Sequence, residues 1–223
     1  MSDVQSALQA IVSAINTISS DGAKAPAKVV CISRDYGAGG DEVAQILAKR
    51  LGVNVYDQVI LDRMTQRLDS DKETLKALDS GASRVRDLWL YSLVTGKALN
   101  ANTYRRHLNN VVLSIGRTGG VILGQGAHLI LARSGALRVR FIGSPEVCAA
   151  RVAAAEKIDL EAARAKVHAA NDHRGKFIWD TFQQRLNDPH TFDLVINTDH
   201  ITDNAKLVDM LVDAMNMVGP PAP

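Results

Sequence analysis

The sequence is poor in aromatic residues and in cysteine. Phe, Trp and Tyr make up 4% of its 223 residues, so a core has to be assembled from Ala, Val, Leu and Ile. Two cysteines, Cys31 and Cys148, offer neither a disulfide framework nor metal-ligand spacing. That excludes a cysteine-stapled secreted scaffold and fits a reducing cytosol. No apolar run approaches the length of a membrane span. The start, Met1-Ser2-Asp3, lacks the basic region of a secretory leader. An excess of one charge is also missing. The formal net charge is +2 and no long basic run occurs, which excludes bulk electrostatic capture of nucleic acid or acidic membranes. These absences together predict a soluble cytoplasmic protein.

What is present is a hydrophobic fraction of 46%, enough for a domain with a proper core. Residues 4–19 place Val4, Leu8, Ile11, Val12, Ile15 and Ile18 on one helical face. The ordinary reading is a helix packed on its own domain; the alternative is a helix that pairs two copies into a homodimer. Asp21-Gly22 ends it and residues 23–27, with Pro26, read as a linker, so 1–27 is expected to form an N-terminal helix and linker. Strands are predicted at 28–33, 53–56, 121–123, 137–142 and 193–197. Helices are predicted at 41–51, 58–68, 71–79, 84–94, 103–117, from Pro145 after an N-cap at Ser144, at 159–185 and at 203–217. The prolines at 220, 221 and 223 read as a frayed tail. Strands alternating with helices predict an α/β protein with a parallel sheet covered on both faces.

In such sheets, ligands gather at the carboxyl ends of the strands. There, Val29-Val30-Cys31-Ile32 runs into Gly37-Ala38-Gly39-Gly40, and a helix opens at Asp41. Strand, glycine turn and helix start form a phosphate cradle of inward N–H groups. A dinucleotide fingerprint needs glycine at position 42, which is Glu42. A Walker loop needs lysine at position 40, which is Gly40. Arg34 in the same loop is a substitute cation, or else a structural partner of Asp35 or Asp57. Asp41 and Glu42 suit the helix dipole; either they turn outward or one helps to hold Mg²⁺. Asp57 after the second strand and Gly124-Gln125-Gly126 after the third point at the same crevice.

Ile-Ser-Arg-Asp-Tyr-Gly-Ala-Gly-Gly-Asp-Glu-Val-Ala at 32–44 and Leu-Gly-Val-Asn-Val-Tyr-Asp at 51–57 resemble the cytidylate kinase-like family of P-loop proteins. So do Val-Ile-Leu-Gly-Gln-Gly-Ala-His at 121–128 and Phe-Asp-Leu-Val-Ile-Asn-Thr at 192–198. The likeness runs in order from about residue 28 to 217. It implies a P-loop NTPase three-layer α/β/α domain over 28–223 with a parallel, about five-stranded sheet and a helical lid. The monophosphate-binding region would be about 57–117 and the lid about 151–190. It further implies donor-phosphate binding by Tyr36, Gly37, Ala38, Gly39, Gly40, Asp41 and Glu42. Arg34, Arg151 and Arg174 would be the catalytic cations. Asp57, Gln125, Gly126 and His128 would lie on the substrate side, with no dedicated metal site. Two departures stand out. Gln125 stands where the family usually has arginine, and Asn171 stands where an aspartate usually precedes Arg174 by three residues.

Other residues have ordinary readings. His128 caps or packs unless it contacts substrate. Arg105-Arg106 forms a solvated helix face unless it reaches an acceptor phosphate. Trp89, Tyr91, Trp179 and Phe182 are core or lid packing, with base stacking by one of them as the alternative. The expected activity is phosphoryl transfer from ATP, with Mg²⁺, to a small phosphorylated acceptor such as CMP. The alternatives are a nucleotide-binding regulatory module without turnover, or a kinase for a non-nucleotide acceptor.

Overall fold

The sequence pattern builds a parallel sheet of five strands whose order is not the chain order. The strands are β1 (Val29–Arg34), β2 (Val55–Tyr56), β3 (Gly120–Leu123), β4 (Leu137–Ile142) and β5 (Leu194–Asn197). They lie side by side as β2-β3-β1-β4-β5, each pair parallel. β1 is central, and its Val29–Ile32 run is buried on both faces, which is why it is continuously apolar rather than alternating. The chain builds first to one side of β1 and then crosses to the other, so the crevice opens at the carboxyl end of β1.

The structure, a computed structural model, describes residues 27–62 and 101–219. The predicted helices at 4–19, 71–79 and 84–94, with Trp89, Tyr91 and the proline tail, lie outside the described residues. The chain divides into two compact units, Met1–Ala27 with Asp57–Gly119, and Lys28–Tyr56 with Gly120–Pro223.

The second unit holds the sheet and five helices among its described residues: α1 (Gly40–Leu51), α3 (Ala127–Ile130), α4 (Pro145–Glu156), α5 (Leu160–Phe182) and α6 (Asn204–Met217). Helix α1 packs on β1, β3 and α6, and α4 packs on α5. α1 carries Asp41 and Glu42 in its first turn and Lys49 and Arg50 in its last, matching its dipole, and it closes at Gly52 with φ +69°. Asp159 caps α5 by accepting the Ala162 N–H at 2.9 Å. Asp203 caps α6 through the N–H groups of Ala205 and Lys206. Ser144 precedes α4 as expected, but its side chain makes no cap bond. Its backbone N–H instead goes to Asp199 at 2.8 Å, which ties the start of α4 to the end of β5 and holds the Asp199 carboxyl below the usual range.

The core is aliphatic, as the shortage of aromatics requires. Val30, Ile32, Val121, Leu137, Val139, Leu47 and Leu211 are all buried, with Phe141 the large aromatic among them. Each such side chain contributes about 1.5–3 kcal/mol on burial. Both cysteines are free and buried, and burial pushes the Cys31 thiol up to about 12. Trp179 departs from expectation. It lies on α5 beside the buried Ile178, yet about half of its own surface is exposed (51%).

In the first unit, Asp57 accepts the Ile60 N–H at 2.9 Å and so caps a helix that begins at Gln58. Helix α2 (Ala101–Thr118) belongs to the same unit, and the Tyr104 hydroxyl donates to Asp62 at 2.6 Å.

Candidate phosphate site

Residues 35–39 form a loop between the central strand and α1, and the hydrogen bonds of the loop and of the first turn of α1 are sorted by direction. Its carbonyls are held from below. The Thr198 hydroxyl donates to Ala38 O at 3.0 Å, and Arg151 Nη1 approaches Gly37 O at 3.5 Å. The loop start is fixed by Asp35 N–H to Phe141 O at 2.9 Å and Tyr36 N–H to Asn171 Oδ1 at 2.8 Å. The N–H groups of Gly37, Gly39, Gly40 and Asp41 have no acceptor among the described residues. An array of unsatisfied N–H groups at a helix start is an anion cradle. Gly37 is obligatory: its φ is +86°, and a Cβ there would lie 2.6 Å from Cys148 O.

Gly40 explains the missing lysine. A Cβ at that position would stand 2.8 Å from Arg34 Cβ and 3.3 Å from the Phe141 ring. The Arg34 side chain therefore fills the space that a residue-40 side chain would need. It extends until its Nη1 lies 2.9 Å from where a Gly124 Cβ would be. Its guanidinium pairs with neither Asp35 nor Asp57, as the sequence had suggested, but with Asp41. Nη2 donates to Oδ1 at 2.7 Å, and Nε contacts Oδ1 and Oδ2 at 3.2 and 3.3 Å. Glu42 turns the other way, where Asn204 Nδ2 donates to it at 3.3 Å.

Arg174 is the second cation beside the loop. Its Nη1 donates to Arg34 O at 3.1 Å, and its guanidinium sits 5.5 Å from the Tyr36 ring centroid. Burial, reinforced by the Arg34 charge, pulls Arg174 down to about 10. The Tyr36 hydroxyl donates to Glu156 at 2.5 Å, which raises its own pKa, and Glu156 also pairs with Lys166. Tyr36 thus connects the loop to both α4 and α5. Arg151 is occupied otherwise. Its Nη1 donates to Thr198 Oγ1 at 3.0 Å and its Nη2 to Thr198 O at 2.7 Å, so it braces the underside of the loop.

Gln125 has φ +52°, an uncommon conformation for a residue with a side chain, and its buried Oε1 has no partner among the described residues. Gly126 abuts Phe182, whose ring would lie 2.2 Å from a Cβ there. His128 is buried and stacked on Phe192 at 4.4 Å between centroids. Burial first, then the charges of Arg140 and Arg138, lowers it to about 3, and its Nε2 has no partner among the described residues. His128 is therefore a neutral packed side chain at ordinary pH.

Sequence reasoning missed Arg140, Thr198 and Asn187. Arg140 is nearly buried, with its side chain 4% exposed, and donates to Ser33 Oγ at 3.0 Å, Asp35 Oδ1 at 2.7 Å and Asn187 Oδ1 at 2.9 Å. It fixes Asp35, whose carbonyl takes the Ala38 N–H at 3.2 Å. The available signal was the alternation Leu137-Arg138-Val139-Arg140-Phe141, which marks one polar face of β4 but not what covers it.

The pattern of the cytidylate kinase-like family matches residues 29–200. No curated protein matches the chain. Among solved structures, an uncharacterized protein from Eubacterium ventriosum shares 18% identity at a TM-score of 0.64, over 85% of this chain and 99% of that one. Shikimate kinase from Bacteroides thetaiotaomicron is similar at 14% identity and a TM-score of 0.48, over 85% and 99%. A putative kinase from Chloroflexus aurantiacus follows at 12% and 0.44, over 88% and 100%.

Proposed function

Because the chain belongs to the cytidylate kinase-like family, we propose that it transfers the γ-phosphoryl group of ATP to a small phosphorylated acceptor, a nucleoside monophosphate of the CMP type. The observation that carries this reading is the under-compensated positive charge at the loop. Arg34 and Arg174 lie beside unsatisfied N–H groups, and Asp41 pairs with Arg34 alone. An anion with several oxygens is what such a place lacks.

The N–H groups of 37–41 would bind the donor phosphates. Arg34 would act where a lysine is absent, and Arg174 would stabilise charge developing on the transferring group. Arg151 acts from beneath, keeping the carbonyl of Gly37 turned away from the phosphates. A carboxylate beside a phosphate loop suits Mg²⁺, which takes one or two carboxylates along with substrate phosphate oxygens. When bound, Mg²⁺ would neutralise charge on the phosphate oxygens, and Asp41 is the residue to hold it. We assign the acceptor to the region 57–117 with Asp57, Gln125, Gly126 and His128, and the closing lid to 151–190. His128, being buried and neutral, would serve by shape rather than by charge.

A second reading is a nucleotide-binding module without turnover. Gln125, a neutral side chain at the end of β3, favours it, because it contributes no cation to the reacting group. Thermal melting with a panel of nucleotides, with and without Mg²⁺, followed by ADP release, separates the two. Stabilisation by ATP and a monophosphate together with ADP release supports the kinase. Stabilisation by ATP without release supports the module. A ligand at a hundred times its Kd adds about 2.7 kcal/mol, which melting detects readily.

A further inference from the structure

Asp41 gives the phosphate loop a carboxylate of its own. It meets Arg34 in a two-pronged contact, 2.7 Å from Nη2 and 3.2–3.3 Å from Nε. The Arg34 side chain is 13% exposed and that of Asp41 59%, so the acid covers the base from the solvent side. Asp41 also stands in the first turn of α1, where the helix dipole favours a negative charge. In the empty protein the carboxylate is thus doubly stabilised at the place where phosphate oxygens would bind.

That arrangement opposes a metal-free polyphosphate. Such a ligand brings like charge against Asp41 and competes with it for the same guanidinium. A polyphosphate carrying a divalent cation removes both obstacles, since the cation offers the carboxylate a new partner and Arg34 becomes available to the phosphate. We propose that Asp41 is a specificity-determining residue for the form of the donor: it admits polyphosphates as divalent-cation complexes and rejects them metal-free. In doing so, it exchanges Arg34 for the cation. This inference rests on the reading of the loop as the donor-phosphate site.

The test is a titration of ATP, and of inorganic tripolyphosphate as a probe without a base, into the full chain. Each is run with excess Mg²⁺ and with EDTA at matched ionic strength. For the native protein, Kd is expected to be about tenfold or more lower with Mg²⁺, within the usual range of coupling between two ligands. Asp41→Asn keeps the shape and removes the charge. It is expected to bind the metal-free ligands more tightly than the native protein and to reduce the Mg²⁺ dependence to about threefold or less. Asp41→Ser serves as the second variant and is expected to bind metal-free ligand like Asp41→Asn. Equal binding with and without Mg²⁺ by the native protein overturns the inference, as does an unchanged Mg²⁺ ratio in both variants, while the donor site stands. Absence of binding by every protein under both conditions overturns the donor site, and this inference with it.

Discussion

Arg140 and Arg151 lie beneath the phosphate loop, Arg34 and Arg174 beside it, and the two pairs differ in how their donors are used. Arg140 reaches a hydroxyl, a carboxylate and an amide, and Arg151 reaches both oxygens of Thr198. Arg34 has a half-exposed carboxylate, and Arg174 has one backbone carbonyl and the face of Tyr36. A guanidinium carries five N–H donors, and taking it out of water is costly unless they find acceptors. The lower pair finds more of its acceptors within the protein. The upper pair finds fewer, and burial first, then the Arg34 charge, holds Arg174 below its ordinary pKa. Function is to be sought where donors are left over for a ligand, and stability where they are taken up by the protein.

Removing Arg140 should break the lower layer most severely. Arg140→Met leaves Asp35, Asn187 and Ser33 without their donor, and a loss of about 3–5 kcal/mol is expected in urea unfolding. A loss under about 1 kcal/mol would mean that the pair is only decorative.

His128 sharpens the comparison because it feels the Arg140 charge yet has an Nε2 unpartnered among the described residues. Its folded pKa, about 3, is below the ordinary 6.5, so the unfolded chain takes up the proton first as pH falls. Its contribution to stability is full above about pH 6.5 and declines toward pH 3, by at most about 1.4 kcal/mol per pH unit. His128→Phe can keep the stack on Phe192 and should be less acid-sensitive than the native protein over that window. Identical pH slopes for the two proteins would refute the assignment.

The smallest effect on stability is expected beside the loop. Arg174→Met removes a cation that lacks a carboxylate partner of its own, and unfolding free energy should change by about 1 kcal/mol or less. A loss as large as that at Arg140 would erase the distinction between the two layers.

Much of this layout is legible in the sequence. The run Leu137–Ile142 is a strand with the predicted bounds, and the glycines of 37–40 mark the turn before α1. Local chemistry suffices there, because apolar runs, caps and glycine turns act over a few residues. The partners of the arginines are less legible because they are distant. Arg140 and Asp35 are 105 residues apart, and Arg151 and Thr198 are 47 apart. Only the strand order brings them together. Arg34 was open between several acids, and the choice of Asp41 follows from the direction in which Gly40 leaves room. The four-residue α3 is too short for periodicity to register, and the exposure of Trp179 depends on which side of α5 finds a neighbour.

The most direct test of the account compares steady-state ADP formation from Mg-ATP and the monophosphate acceptor by the native protein, Arg34→Ala and Arg174→Met, with melting curves alongside. If Arg34 and Arg174 stabilise the transferring phosphoryl group, kcat should fall by about 10²–10³-fold in each variant while both stay folded. Turnover that survives both substitutions unchanged would contradict it.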